Sequence, residues 1–491
     1  NVSGFPNTGY NSGDLIYLIV QKGKNWKLGA RGFLGNPTDF KPWPDSEKYK
    51  SAFKIDWELI EEKDITEGLR RIYHPNFGLA IQGKKDLDAF LNKGDEIKEY
   101  LNGFFSKQTI RQIQRMDLSY KQILEHINRF ISSKGFKYEF EEIANFYLSL
   151  KAKPFVILAG ISGTGKTQLP RQFAAALGLN ENLKQVPVRP DWTDGSDLLG
   201  YTDLGGNFIP KDLSNLIIEA EKDPDYPYFF ILDEMNLARV EHYFSDYLSI
   251  IETRTRNGNS IVTDPIIREE ILNNAQNSAV FRGKGLPENL YLIGTVNMDE
   301  TTHAFSRKVL DRANSIEMNE VNLGWDNSQT EKTEALSGIG NDFLKTEYLS
   351  AYELSQEDKD SIKTEIELLI QINEILKRAD LHFAYRVRDE IAFYLILNKK
   401  YNLMTQVRAL DFQLVQKILP RIHGSSERIQ KILIDLLYLL EKDSKPSENK
   451  YNNFEAIYDD FKDKFKYSRS ANKILFMLKR FDEDRFTSFW L

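Results

Sequence analysis

The stretch Gly160-Ile-Ser-Gly-Thr-Gly-Lys166-Thr167 constrains this chain more than any other, because such a loop serves only where a strand hands over to a helix. The apolar run Phe155-Val-Ile-Leu158 before it reads as a buried strand. Leu169, Phe173 and Leu177 after it read as one face of a helix. Glycines let successive backbone N–H groups turn toward one anion, and the helix N-terminus adds partial positive charge. The spacing therefore predicts a phosphate cradle built from Gly160, Ser162, Gly163, Thr164, Gly165, Lys166, Thr167 and Gln168. Lys166 is placed to reach the β and γ phosphates, and the Thr167 hydroxyl to ligate Mg2+.

With 491 residues the chain exceeds what one core supports, and several domains are expected. Hydrophobic residues at 41% and charged residues at 28% describe an ordinary globular chain. Cysteine is absent, which excludes disulfides, thiolate zinc sites and cysteine nucleophiles and fits a cytoplasmic location. No apolar stretch approaches the roughly 20 residues of a membrane span, so no membrane partner is expected. A net charge of −7 argues against nucleic-acid binding by bulk charge and leaves room for a local basic patch. The six histidines show no metal-ligand spacing.

Downstream of the loop, Tyr228-Phe-Phe-Ile-Leu232 reads as a parallel strand that delivers Asp233 and Glu234 to the edge of a sheet. Asp233 is expected to hold Mg2+ and Glu234 to polarise the attacking water. A second buried run, Leu290 to Val296, ends at Asn297, whose amide can orient water beside the γ phosphate. Arg312, with Arg307 second, carries a charge that can cross a subunit boundary and stabilise the transition state next door. Helical spacing at Ile362, Ile366, Leu369, Ile372 and Leu376, and again from Leu414 to Leu436, predicts a helical C-terminal part.

The order of these motifs, strands first and helices after, resembles AAA+ proteins. That resemblance implies an α/β P-loop NTPase core with a C-terminal helical lid, in which Arg386 is the lid arginine and Arg388 its fallback. A narrower likeness is carried by Val188-Arg-Pro-Asp191-Trp192-Thr-Asp194, Asp197-Leu-Leu-Gly200-Tyr201, Asp233-Glu-Met-Asn236 and Gly294-Thr-Val-Asn297. Lys417-Ile-Leu-Pro420, His423-Gly424 and Phe486-Thr-Ser-Phe-Trp490 extend it to the C-terminus. Together they resemble McrB, the AAA+ motor family of modification-dependent restriction. The resemblance implies a homo-oligomer, a hexameric ring, that hydrolyses a purine triphosphate, binds modified double-stranded DNA and drives a McrC-like nuclease subunit. The McrB family uses GTP and has an Asp where this chain has Glu300, so ATP and GTP both stay open as substrate.

The N-terminal portion is rich in strand formers. Leu15 to Val20 and Phe53-Lys-Ile-Asp-Trp57 read as strands, with a turn at Lys22-Gly-Lys24. Trp26 and Trp43 interleave with Lys24 and Arg31, a pattern able to stack on a base and hold its phosphates. The competing reading is a small β core. The element order resembles the small β-barrel of EVE and other PUA-like domains, which implies a reader of modified bases. Asp45 with Glu61-Glu62-Lys63 superficially fits a nuclease pattern but reads better as a solvated helix start. The expected domains are thus a PUA/EVE-like β-barrel over 1–105, a helical connector over 106–150, the α/β AAA+ core over 151–325 and the helical lid over 326–491. A MoxR- or dynein-like remodeller of proteins, and a module that holds nucleotide without turnover, are the alternatives.

Overall fold

The computed structural model describes residues 118–272, 278–298, 303, 305–319, 332–336, 338–441 and 465–490, together with the backbone of 2–5, 15–22, 25–37 and 51–64. The chain forms two units, Asn1–Met116 and Asp117–Leu491.

In the first unit, β1 (Val2–Phe5), β2 (Leu15–Lys22), β3 (Asn25–Pro37) and β4 (Ser51–Asp64) form one antiparallel sheet in the order β1-β4-β3-β2. The hairpin expected at Lys22 is present: Lys22 pairs with Asn25, and the ladder runs to Leu15 opposite Phe33. Trp26 and Arg31 lie on β3. Lys24 and Trp43 lie outside the described residues. Glu61, Glu62 and Lys63 do not start a helix. The alternation that begins at Phe53 continues, and pairing of Leu28 with Lys63 carries β4 to Asp64.

The second unit is built on five parallel strands: β5 (Phe155–Gly160), β6 (Leu183–Pro187), β7 (Tyr228–Asp233), β8 (Leu290–Asn297) and β9 (Asn314–Glu317). Their order is β9-β5-β8-β7-β6. Because β5 lies between the last two strands in sequence while β6 sits at the far edge, a crevice opens at its carboxyl end. Ligands of open α/β sheets bind at such a point. Every residue of β5 is buried. Val156 and Leu158 join one core, Phe155, Ile157 and Ala159 the other, which is why the run is apolar without alternation.

Helices α1 (Tyr120–Ser133), α2 (Phe140–Ala152) and α3 (Gln168–Ala176) cover the first face. A capping box between Ser119 and Gln122 starts α1. Its stripe of Ile123, Leu124, Ile127 and Ile131 is buried, so α1 and α2 are core elements of this unit rather than a free connector. Helix α4 (Asp212–Lys222) packs on the opposite face through Leu213, Leu216 and Ile217.

The C-terminal helices α5 (Lys363–Lys377), α6 (Tyr385–Tyr401), α7 (Gln406–Gln413), α8 (Glu427–Leu439) and α9 (Ser468–Asp484) share the first core. The predicted stripes are buried at Leu369, Ile372 and Leu376 and at Ile429, Ile432, Leu433 and Leu436. A buried charge cluster ties these helices to the sheet's amino edge. Glu390 on α6 pairs with Lys153, just before β5, and with Lys417 at 2.5 Å, and Lys417 also donates to the Ala313 carbonyl at 2.6 Å. Burial alone would raise the Glu390 carboxyl, but the two ammonium groups hold it down at about 2. At the other end, His423–Gly424 pairs with Thr487–Ser488.

Candidate nucleotide site

Where β5 ends, backbone elements crowd together. A Cβ at Gly160 would lie 2.4 Å from the Met318 carbonyl oxygen, so only glycine fits. Gly163 and Gly165 take φ of +87° and +86°, the left-handed values that turn the loop's amides onto one side. Tyr138, ahead of α2, donates its hydroxyl to the Gly165 carbonyl at 3.0 Å. Asn319 accepts from the Ile161 amide at 3.0 Å and donates to Glu317 at 2.7 Å. Lys473 of α9 pairs with that same Glu317 oxygen at 2.6 Å. The loop is thus fixed from both sides, and α3 begins directly after it at Gln168.

Lys166 curls back and donates to the Gly160 and Ile161 carbonyls at 3.0 and 2.6 Å. Burial lowers its pKa, and Asp233 and Glu234 work against that shift. Asp233, at the tip of β7, is held by three donors. Thr167 and Thr295 reach one oxygen at 2.9 and 2.6 Å, and Gln185 reaches the other at 2.9 Å. Glu234 follows in the left-handed region at φ 54°, a conformation that costs a side-chain-bearing residue about 1–2 kcal/mol. Its amide donates to the Thr295 hydroxyl at 3.0 Å, and its carboxylate accepts from the Asn297 amide at 2.9 Å. Asn236 donates to the Asn297 carbonyl at 2.9 Å.

The structure therefore gathers Ser162 to Gln168, Asp233, Glu234, Thr295 and Asn297 around one cleft of about 710 Å3. Its donors suit a phosphate chain. The Thr167 hydroxyl touching the Asp233 carboxylate offers the hard oxygen ligands that Mg2+ takes together with substrate phosphates. Thr295, Gln185, Tyr138 and Asn319 were not singled out in the sequence. Thr295 was within reach, since residues two apart on a strand share a face and Asn297 is two residues further on.

The predicted arginines lie elsewhere. Arg312 precedes β9, whose first residue pairs with Val156, whereas the phosphate loop starts at Gly160, about 13 Å further along the strand. Arg312 donates to the Leu248 and Lys308 carbonyls at 2.9 and 2.7 Å and pairs with Glu252 at 2.7 Å. Arg386, which the resemblance makes the lid arginine, joins Arg312 on Glu252, at the start of the α6 helix that Glu390 ties to the sheet's amino edge. Arg388 pairs with Asp389 at 2.6 Å and covers the Tyr385 ring. Arg307 is exposed at the start of a short helix, Arg307–Leu310. Glu300 lies outside the described residues.

A second cavity of about 590 Å3 adjoins the cleft, with Lys137, Tyr138 and Thr164 lining both. It runs between α2 and the C-terminal helices, where Phe412, Val415 and Phe476 form its wall. Among the described residues no helix is long and apolar enough to cross a membrane.

Comparison with known proteins agrees with this geometry. Residues 155–313 match the AAA domain of the dynein-related subfamily, so the chain carries an AAA+ nucleotide-binding ATPase domain. Residues 332–486 match a domain of unknown function, DUF8727. The McrB subunit of the type IV methyl-directed restriction enzyme of Escherichia coli K12 is 29% identical over 153 residues, which is 30% of this chain and 31% of that protein. The chain thus matches less than a third of that curated relative's length. A crystal structure from Cytophaga hutchinsonii is 17% identical and covers 63% of this chain and 85% of its own, at a TM-score of 0.33.

Proposed function

We propose that this chain is a McrB-like AAA+ motor: it hydrolyses a purine nucleoside triphosphate and couples the turnover to recognition of modified DNA and to a separate nuclease. The observation that carries the hydrolytic part is the joint placement of Lys166, Thr167, Asp233, Glu234 and Asn297 around one cleft. In this reading Lys166 and the loop amides hold the phosphates, and Thr167 and Asp233 hold the Mg2+ that neutralises phosphate charge. Glu234, aimed by Asn297, takes the proton of the attacking water. Arg312, far from its own cleft, faces the cleft of a neighbour in a ring, as a hexamer would place it. The restriction role draws on the match to the Escherichia coli McrB subunit.

In the N-terminal part of the sequence, Trp26, Trp43, Lys24 and Arg31 are the residues proposed to meet DNA. A remodeller of protein substrates is the second reading, favoured by the match to the dynein-related subfamily.

Glu234→Gln tests the hydrolytic core. It is expected to bind nucleotide as the parent does and to lose turnover by about 100-fold or more. Unchanged turnover removes Glu234 from its role. Binding of methylated against plain duplex by the full chain separates the two readings, and equal affinity for both defeats the DNA-reading one.

A further inference from the structure

Two arginines from distant parts of the chain close on one carboxylate. Glu252, in the single turn Ile251–Thr253, takes Arg312 on one oxygen at 2.7 Å and Arg386 on the other. The Nε and Nη1 groups of Arg312 donate to the Leu248 and Lys308 carbonyls, so every nitrogen of its guanidinium is engaged within its own chain. That engagement competes with a role at a neighbour's phosphates. A guanidinium neutralised by the carboxylate beside it stabilises little of the charge that develops elsewhere.

The contact is able to open. The side chains of Arg312, Glu252 and Arg386 are 19%, 31% and 41% exposed, and ion pairs reached by water contribute little each. When Arg312 leaves, Arg386 stays on the second oxygen, so Glu252 is not stranded without a counter-charge. Asp311, next to Arg312 in sequence, pairs with Arg421 instead, and Arg307 and Arg386 both bear on Arg421 electrostatically. A face with that many cations draws a polyanion. We infer that Glu252 is a positioning residue that latches Arg312 to its own chain until the terminal phosphate of a neighbouring copy's nucleotide draws the arginine away. The apparent affinity for triphosphate is then reduced by the fraction of arginine held on the latch. A diphosphate lacks the group that competes with Glu252 and escapes this reduction.

This inference rests on the proposed ring and on Arg312 acting across it, and the experiment separates the three. Self-association is followed by analytical ultracentrifugation with Mg2+ and non-hydrolysable analogues of ATP and GTP. Dissociation constants for those analogues and for ADP and GDP are measured where the parent self-associates, on the full chain and on Glu252→Gln, Glu252→Asp, Arg312→Ala and the double variant Glu252→Gln, Arg312→Ala. Glu252→Gln is expected to bind the triphosphate analogue about fivefold more tightly than the parent and the diphosphate as the parent does. Glu252→Asp, which keeps the charge on a shorter stem, is expected to show part of that gain, and it carries the test if Glu252→Gln fails to fold. Without Arg312 the gain disappears. The latch is overturned if both Glu252 variants bind triphosphate as the parent does or more weakly, if triphosphate and diphosphate tighten together, or if the gain survives in the double variant. A parent that stays monomeric with triphosphate defeats the ring, and an Arg312→Ala protein that binds triphosphate as the parent does defeats the role of Arg312. In either case the latch falls with it.

Discussion

Thr295→Val isolates the device that aims the two acids. The Thr295 hydroxyl donates to Asp233 at 2.6 Å and accepts from the Glu234 amide at 3.0 Å, and the residue is 2% exposed. Valine keeps the shape and removes both bonds. Asp233 then retains Thr167 and Gln185, but Glu234 loses the contact that holds its left-handed backbone. The bond that holds Glu234, from its backbone amide to the Thr295 hydroxyl, joins neutral groups and contributes about 0.5–1.5 kcal/mol. If that energy is used to hold Glu234 in its reacting position, turnover falls about 2- to 13-fold. Steady-state kinetics with ATP and GTP reads the loss as a drop in kcat at little-changed KM, and Thr295→Ser, which keeps the hydroxyl, recovers most of it. A Thr295→Val protein with an unchanged kcat would refute the argument.

Glu390→Gln leaves Lys153 and Lys417 buried without a counter-charge and is expected to lower stability by about 3–5 kcal/mol, read by urea unfolding. The pH dependence follows from the low Glu390 pKa. Its contribution is complete above about 4.5 and is lost as the pH falls toward 2, about 3 kcal/mol in all. The same melt series on Glu390→Gln lacks that component. Gly165→Ala forces a φ of +86° on alanine and puts its Cβ 2.6 Å from the Tyr138 hydroxyl. Calorimetry is expected to show nucleotide binding weakened by about tenfold or more. For the action of Arg312 on a neighbour, Arg312→Ala and Lys166→Ala proteins, each inactive alone, are expected to regain part of their turnover when mixed. No regain rules that role out.

The phosphate loop and the two acids were legible because each is a local pattern: an apolar run, then the functional residues at the strand tip. Gln185 and Asn319 were not, because their roles depend on which strands lie side by side, and the order β9-β5-β8-β7-β6 is not written in any one segment. Where Arg386 sits depends on how α6 docks, and that docking involves the buried Glu390 cluster, whose members are far apart in sequence. The stripes of α1 and α2 show in the sequence, but an amphipathic stripe tells that a face is covered and not by what. In the acidic run at Glu61, charge suggested a helix start, and ladder pairing with β3 prevailed.

The chain of bonds from the Ile161 amide through Asn319 and Glu317 to Lys473 has a mechanical meaning. A hydrogen bond near 3 Å tolerates only a few tenths of an ångström before it weakens steeply. If the loop recoils by an ångström, one of these bonds breaks, a side chain along the route turns, or α9 moves with it. In the proposed motor, a shift at the phosphates would have a side-chain route to α9, the helix that carries Lys473.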